Sequence, residues 1–274
     1  MPSGAFAISR DEIKPRSLCP FERLQMTSVS TLHLHSRDPI IPSQILRIFP
    51  RTPKELVAAI AQFPVTDISD LVGRFYTMQA IEPLYRPAPP VCGTAVTVKC
   101  PPGDNLAVVK AISVASGGDV LVIDAQGFTT WCLGGFQLLR AAIEDYGLAG
   151  FVMNGAYRDI EDAQRAGFPL YGAGVAAWSG PKAGPFEINV PVCCGSVIVQ
   201  PGDVVSASTE GAVIVPRAYA GQVAERLAQL LKAGKSSADK DGEARAVADF
   251  IRKVDAHIDH VFEQGGGVYL DADA

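Results

Sequence analysis

Histidine is nearly missing from this chain. It has four in 274 residues, His33, His35, His257 and His260, and all lie near the two ends. A Ser-His-Asp triad or a His-ligated zinc site in the middle of the chain is therefore not expected. Chemistry there must rest on carboxylates, arginine, lysine, backbone amides and a hard metal. No basic block interrupts a net charge of −5. No phosphate-tracking surface is marked, and nucleic acid is not an expected partner. No apolar run reaches the roughly eighteen residues of a membrane span, so no membrane association is expected. The N-terminus lacks the basic-then-apolar pattern of a secretory signal. The six cysteines, Cys19, Cys92, Cys100, Cys132, Cys193 and Cys194, form no CxxC pair. They read as small buried residues of a reduced, cytoplasmic protein, with Cys193 and Cys194 on opposite faces of a strand. No internal repeat or low-complexity tract is visible.

What is present suits a globular chain. Apolar residues make up 48% and charged residues 19%, enough to bury one large core or two modest ones. Residues 1–50 have poor periodicity and scattered Pro and Ser, and read as a partly ordered extension. On a strand His33 and His35 would share one face and could touch one metal, but a lone alternating pair in a tail is more often incidental. Residues 51–232 form the main domain, and residues 233–274 a polar linker and a helix.

The centre alternates strand and helix. Thr52-Pro53 predicts a capped helix start with Leu56, Val57, Ile60 and Ala61 as its apolar stripe. Thr66 predicts a second cap, for a helix through Val72. Residues 95–99, 120–123, 151–153 and from 169 read as strands. Helices are expected from Gly103-Asp104, over 138–146 with Gly147 as the stop, and over 160–165. This order implies an α/β fold with a mainly parallel sheet. From Val190 the pattern changes to short strands and tight turns, a β-rich layer. Two C-terminal helices follow, over 219–232 and 242–262.

The most informative stretch is GFVMNGAYRDIED, residues 150–162. Phe151, Val152 and Met153 read as a buried strand, and Asn154-Gly155 as its closing turn. Arg158 and Asp159 then emerge side by side before a helix. A carboxylate there can hold a hard divalent cation, and a guanidinium can fork onto the oxygens of an oxo acid. The same pair also fits an Asp opening a helix beside a surface Arg.

Three more segments stand in order around it: VCGTAVTVKCPPGDNLAVVKAI (91–112), GGDVLVIDAQG (117–127) and VPVCCGSVIVQPGDVVSASTEGAVIVP (190–216). With NGAYRD between them the chain resembles the RraA-like family, over about residues 65–231. That family includes the 4-hydroxy-4-methyl-2-oxoglutarate (HMG) aldolases, which also decarboxylate oxaloacetate. It also includes RraA, a non-enzymatic inhibitor of ribonuclease E. The resemblance implies a three-layer β/β/α swivelling-domain fold, here with added N- and C-terminal helices.

For activity, the resemblance implies a metal-dependent lyase that cleaves or decarboxylates a 2-oxo acid to pyruvate. Asp159 matches the aspartate that holds Mg2+ or Mn2+, mostly with water completing the shell. Arg158 matches the arginine on the substrate keto group. Residues Gly135, Phe136, Gln137, Leu138 and Leu139 match the helix start whose amides cradle the substrate carboxylate, Leu138 and Leu139 at the donor positions. Asp124, Gln137 and Asp162 are candidates for supporting roles, Asp162 equally as a first-turn residue of its helix. Two positions depart from the family pattern: Phe136 replaces a usual glycine, and Gln137 replaces an acid that orders water at the cation. These departures leave a different 2-oxo acid open. The alternative is an RraA-type regulator that binds a protein, but such regulators lack the aspartate kept here as Asp159. The resemblance further implies a homotrimer or hexamer with sites between subunits. The apolar segment 190–215 reads as its interface. Glu187, Glu225 or Glu243 of a neighbour are candidates for the acid missing at Gln137.

Overall fold

Residues 41–267 and 270 are described by the computed structural model, all but the first two within the unit Ser43–Ala274. Strands β1 (Gln44–Ile45) and β2 (Glu82–Pro83) are short. They flank four long strands: β3 (Val91–Lys99), β4 (Asp119–Cys132), β5 (Gly150–Tyr157) and β6 (Leu170–Val175). These four pair in parallel, in chain order. Their central residues are Val, Ile, Leu and Phe with no alternation, as befits strands covered on both faces. Val120, Leu121, Val122, Ile123, Phe151, Val152 and Met153 are all fully buried.

Beyond β3 the sheet divides. β7 (Glu187–Ile188) pairs antiparallel with the end of β3 and parallel with β1. β8 (Val192–Cys194) and β9 (Val197–Val199) form a separate hairpin. β10 (Val204–Ser208) pairs antiparallel with the start of β3 and with β11 (Gly211–Val215). The stretch before Pro50, expected as an extension, thus joins the sheet through β1. His33, His35 and Cys19 lie outside the described residues.

Helices α1 (Lys54–Ile60) and α2 (Val65–Val72) precede the sheet, and α3 (Leu106–Ile112) joins β3 to β4. The short helix α4 (Phe136–Arg140) runs into a π-turn over Ala141–Asp145, and α5 (Ile160–Ala166) joins β5 to β6. Helices α6 (Ala220–Lys232) and α7 (Lys240–Glu263) close the chain. One core cluster surrounds the sheet. A second fills the space between α1, α2, α6 and the β10–β11 pair, around Ile60, Ile68, Val213 and Leu227.

Several local expectations change. Thr52 does not cap α1: its hydroxyl donates to the Gly202 carbonyl at 2.8 Å, tying the chain to the turn before β10. The N-cap positions of α1 and α2 are prolines, without a side-chain cap, so Thr66 caps nothing either. Helix α3 starts later than expected, because the Asp104 carboxylate takes the amides of Leu106, Ala183 and Gly184. Asn154-Gly155 is not a turn. β5 runs through it to Tyr157, while β4 slips register opposite, between Asp124 and Phe128. A Cβ at Gly155 would lie 2.7 Å from Leu133 and 3.1 Å from Ala125. The glycine serves close approach between strands, not chain reversal.

The segment 190–215 is not an exposed apolar face. Val192, Cys194, Val197, Val199, Val204, Val205, Val213, Ile214 and Val215 are all buried within this chain, and Ile198 is the large apolar residue there that remains exposed. Low charge marked the inside of the fold rather than an interface. Cys193 is exposed and Cys194 buried, on opposite faces of β8. Burial pushes the Cys92 and Cys100 thiols up to about 12, so these cysteines stay protonated and inert at neutral pH. Among the described residues no helix is long and apolar enough to cross a membrane.

Candidate active site

The site forms where β5 delivers Arg158 and Asp159 to the carboxyl edge of the parallel strands, the usual place for ligands in such sheets. Tyr157, the last residue of β5, is fully buried, and its hydroxyl donates to the Gly135 carbonyl at 3.0 Å. Burial raises its pKa, so it stays a neutral donor. The Arg158 amide donates to the Gly134 carbonyl at 3.3 Å. The loop before α4 is thus laced to the end of β5.

Asp159 takes a left-handed conformation, φ 59° and ψ 41°, at the N-cap of α5. Aspartate tolerates this region better than most side chains. The bend turns its carboxylate back to the loop, where Oδ2 accepts the Phe136 amide at 3.0 Å. Gly135 lies directly beneath. A Cβ there would collide with Asp159 Oδ2 and come within 3.1 Å of Arg158 Nε. Any larger residue at Gly135 would displace the pair.

Arg158 lies against Asp159, with Nε to Oδ2 at 3.9 Å, and its Nη1 donates to the Ala177 carbonyl at 3.3 Å. Its Nε is buried and has no hydrogen-bond partner. An unpaired buried donor on a charged group is costly, and native proteins rarely keep one without a use. The side chains are otherwise open, 41% exposed for Arg158 and 43% for Asp159. They line a cleft of about 480 Å³ with Ile160, Glu161, Asp162, Arg165, Val175 and Ala177.

The remaining expected residues divide. Asp162 reaches the cleft but pairs with Arg165 at 2.5 Å, the role of a first-turn helix residue. Asp124 stays apart. It pairs across from Asn154, and its carboxylate accepts the amides of Gln126 and Cys193 at 2.9 and 3.2 Å. It pins the β4 excursion to the β8 hairpin. Leu138 and Leu139 donate their amides to the Gly135 carbonyl at 3.0 and 3.2 Å. These amides, expected as donors to a carboxylate, are consumed by the start of α4. Among the described residues the amides of Gly135 and Gln137 have no acceptor, and the Gln137 side chain is exposed.

Phe136 does not fill the cleft. Its ring stacks on Phe168 at 6.0 Å and 17°, locking α4 against the turn after α5. Phe136→Ala is expected to cost about 1–3 kcal/mol of stability, read by chemical denaturation, with little change in turnover. A large loss of activity without loss of stability would place the ring in the cleft instead. Of the acids expected from a neighbour, Glu187 is paired with Lys99 at 2.7 Å, and Glu243 holds Ser237 and Lys240. Among the described residues Glu225 accepts only a 3.3 Å bond from Gln229.

The sequence reading missed Glu161, Arg165 and the Ala177 carbonyl as parts of the cleft. Glu161 and Arg165 were legible as the first and last turns of a helix that begins at Asp159. Nothing local marked Ala177, which arrives from beyond β6.

The chain is similar to known proteins in sequence and in fold. The family model described as RraA-like, Aldolase/RraA, matches residues 65–214. A candidate 4-hydroxy-4-methyl-2-oxoglutarate aldolase of Halalkalibacterium halodurans is 36% identical over 206 residues, 75% of this chain and 94% of that protein. The 4-hydroxy-4-methyl-2-oxoglutarate aldolase of Thermus thermophilus is 32% identical over 118 residues, 43% of this chain and 71% of that protein. Among solved structures, Streptomyces coelicolor RraAS2, described as an unusual member of the RNase ES inhibitor RraA protein family, aligns with a TM-score of 0.57. It is 27% identical and covers 65% of this chain and 93% of its own. The fold is the α/β fold of RraA proteins, with a large central sheet. The chain belongs to the RraA-like family.

Proposed function

We propose that the protein is a divalent-metal-dependent lyase that cleaves, by retro-aldol reaction, or decarboxylates a 2-oxo acid to give pyruvate. The observation that carries this reading is the half-open pair of Arg158 and Asp159, Nε to Oδ2 at 3.9 Å, lining one cleft at the strand edge. The exposed part of the guanidinium can meet an anionic or carbonyl oxygen.

The residues fit a hard cation. Asp159 offers Oδ1 without a partner among the described residues, while Oδ2 is held by Phe136. No group of three or more His, Cys, Asp or Glu gathers among the described residues, so the donor set suits Mg2+ or Mn2+ with a mostly aqueous shell rather than a caged transition metal. When bound, the cation supplies Lewis acidity toward the 2-oxo group. Arg158 orients the keto oxygen and stabilises the negative charge that grows on it as the carbon–carbon bond breaks. The free amides of Gly135 and Gln137, at the start of α4, receive the substrate carboxylate. Ala177 fixes the guanidinium plane, and Gly135 leaves room for the pair.

The direct test is pyruvate release from HMG and from oxaloacetate, with Mg2+ and with EDTA. Full activity in EDTA would sink the metal reading. The likeness to RraAS2 favours a second reading, a regulator that binds a protein. No release from either substrate with either metal would favour it.

The charge at Gln137 gives a finer test. Gln137→Glu adds a negative charge in the first turn of α4, beside the site. It is expected to lower the metal concentration for half-maximal activity about two- to fivefold. An unchanged or higher requirement would show that this side chain does not face the cation. An assembly of three or six copies belongs to the same reading, with Glu225 of a neighbour the acid whose contacts leave it most available.

A further inference from the structure

Both tryptophans of the chain, Trp131 and Trp178, stand together beside the cleft. Trp131 lies near the end of the β4 excursion. Its ring meets that of Trp178 at 6.1 Å and that of Phe128 edge-on at 5.5 Å. Phe128 and Trp131 are half-buried, whereas Trp178 is 70% exposed. The three rings form a shelf on a fixed floor. A Cβ at Gly103 would lie 2.8 Å from Phe128 and 2.9 Å from Trp131, and Gly180 packs on the Gly103 carbonyl so closely that no Cβ fits there. The Cys132 amide donates to the Trp178 carbonyl at 2.7 Å, which ties the two tryptophan segments to each other.

Both segments continue directly into the site. Trp131 is followed by Cys132, Leu133 and Gly134, whose carbonyl accepts the Arg158 amide. Trp178 is preceded by Ala177, whose carbonyl accepts Arg158 Nη1. Consecutive residues lie about 3.8 Å apart, so the shelf begins one residue from the anchor of the guanidinium. Val175, 59% exposed, and Ala177 give the cleft an apolar side that leads to Trp178. The charges of the cleft are mostly negative. Asp159, Glu161 and Asp162 face only Arg158 and Arg165. Arg158 lies against Asp159, and Arg165 pairs with Asp162. No cation of this lining is left over for a second carboxylate at the far end of a substrate.

We propose that the 2-oxo acid taken by this site carries an aromatic distal group, which lies on the shelf of Trp178 and Trp131. The inference rests on the 2-oxo acid reading above and narrows its substrate class to 4-aryl-4-hydroxy-2-oxobutanoates. In the cleavage, the C4 hydroxyl gives its proton to solvent and the C3–C4 bond breaks. An aryl aldehyde leaves, the electron pair of the broken bond passes to the enolate of pyruvate, and the enolate takes a proton at C3. Nothing is oxidised or reduced. The shelf holds the end of the substrate that does not react. Stacking there takes apolar surface of both partners out of water and gives the favoured geometry of aromatic pairs. An uncharged ring also avoids the excess of carboxylates that a second anionic group would meet.

The test uses the full chain with Mg2+. The probe is 2-oxo-4-phenylbutanoate, which has no C4 hydroxyl and is not cleaved, set against 2-oxobutanoate, the same acid without the ring. Calorimetry should give the phenyl acid a Kd at least about tenfold below that of 2-oxobutanoate. Tryptophan fluorescence reports on the shelf alone, because both tryptophans lie there, and only the phenyl acid should change it. Trp178→Ala should bring the two Kd values together, and Trp178→Phe should keep most of the difference. This result supports the proposal whether or not HMG is cleaved. Equal Kd values in the unmodified protein would overturn it, as would a phenyl advantage that survives Trp178→Ala. Binding of neither acid by a protein that releases pyruvate from oxaloacetate would overturn the shelf and leave the lyase reading standing. Binding of neither, with no release from oxaloacetate or HMG, would remove both.

Discussion

Asp159→Asn is expected to reduce metal-dependent pyruvate release at least about a hundredfold while leaving the fold intact. Asparagine tolerates the left-handed conformation that Asp159 adopts. Its side-chain oxygen can still accept the Phe136 amide that now bonds Oδ2. The substitution therefore removes the charge and little else. Asp159→Ala should show the same loss of turnover together with about 1–2 kcal/mol of destabilisation, since it strains the backbone and strands the Phe136 amide. Turnover with saturating Mg2+, set beside a denaturation curve, separates the two effects. Near-normal turnover in Asp159→Asn would remove the carboxylate from the mechanism.

Arg158→Lys should lose about 10²- to 10³-fold in kcat. Lysine keeps the charge but not the planar fork. In the protein, Nη1 is committed to the Ala177 carbonyl and Nε is buried, which leaves Nη2 for a ligand. A single ammonium cannot both hold Ala177 and meet a ligand oxygen in the guanidinium plane. The loss should fall mainly on kcat, because the charge it stabilises grows as the bond breaks. A variant with normal kcat and a raised KM would assign Arg158 to ground-state binding alone.

These two residues stood out in the sequence because the signals around them are local. An apolar run of Phe, Val and Met makes a buried strand wherever it is covered, and a polar pair just past its end falls at the sheet edge. The alternation of strands and helices was legible for the same reason. So was α7, apart from its first two residues, which the Asp239 cap adds, and its last, Glu263. Other readings failed where a local signal met a distant partner. Asn154-Gly155 has the composition of a turn, yet the β4 excursion packs over it and needs a glycine inside the strand. Thr52 has the composition of a cap, yet Gly202, 150 residues away, takes its hydroxyl. The segment 190–215 is apolar enough for an interface, and its own fold uses all but a little of it.

The sequence by itself determined the order of the main elements, the α/β class and the place of Arg158 and Asp159 after β5. Each depends on periodicity or propensity within a few consecutive residues. Only the tertiary structure decided which polar groups are satisfied. Leu138 and Leu139 lose their amides to Gly135, Phe136 turns to Phe168, Asp124 is drawn to Cys193, and Arg158 keeps one buried donor free. A hydrogen bond is made or missed over a few tenths of an ångström, by groups that chain connectivity brings together from far apart. No window of sequence contains both partners.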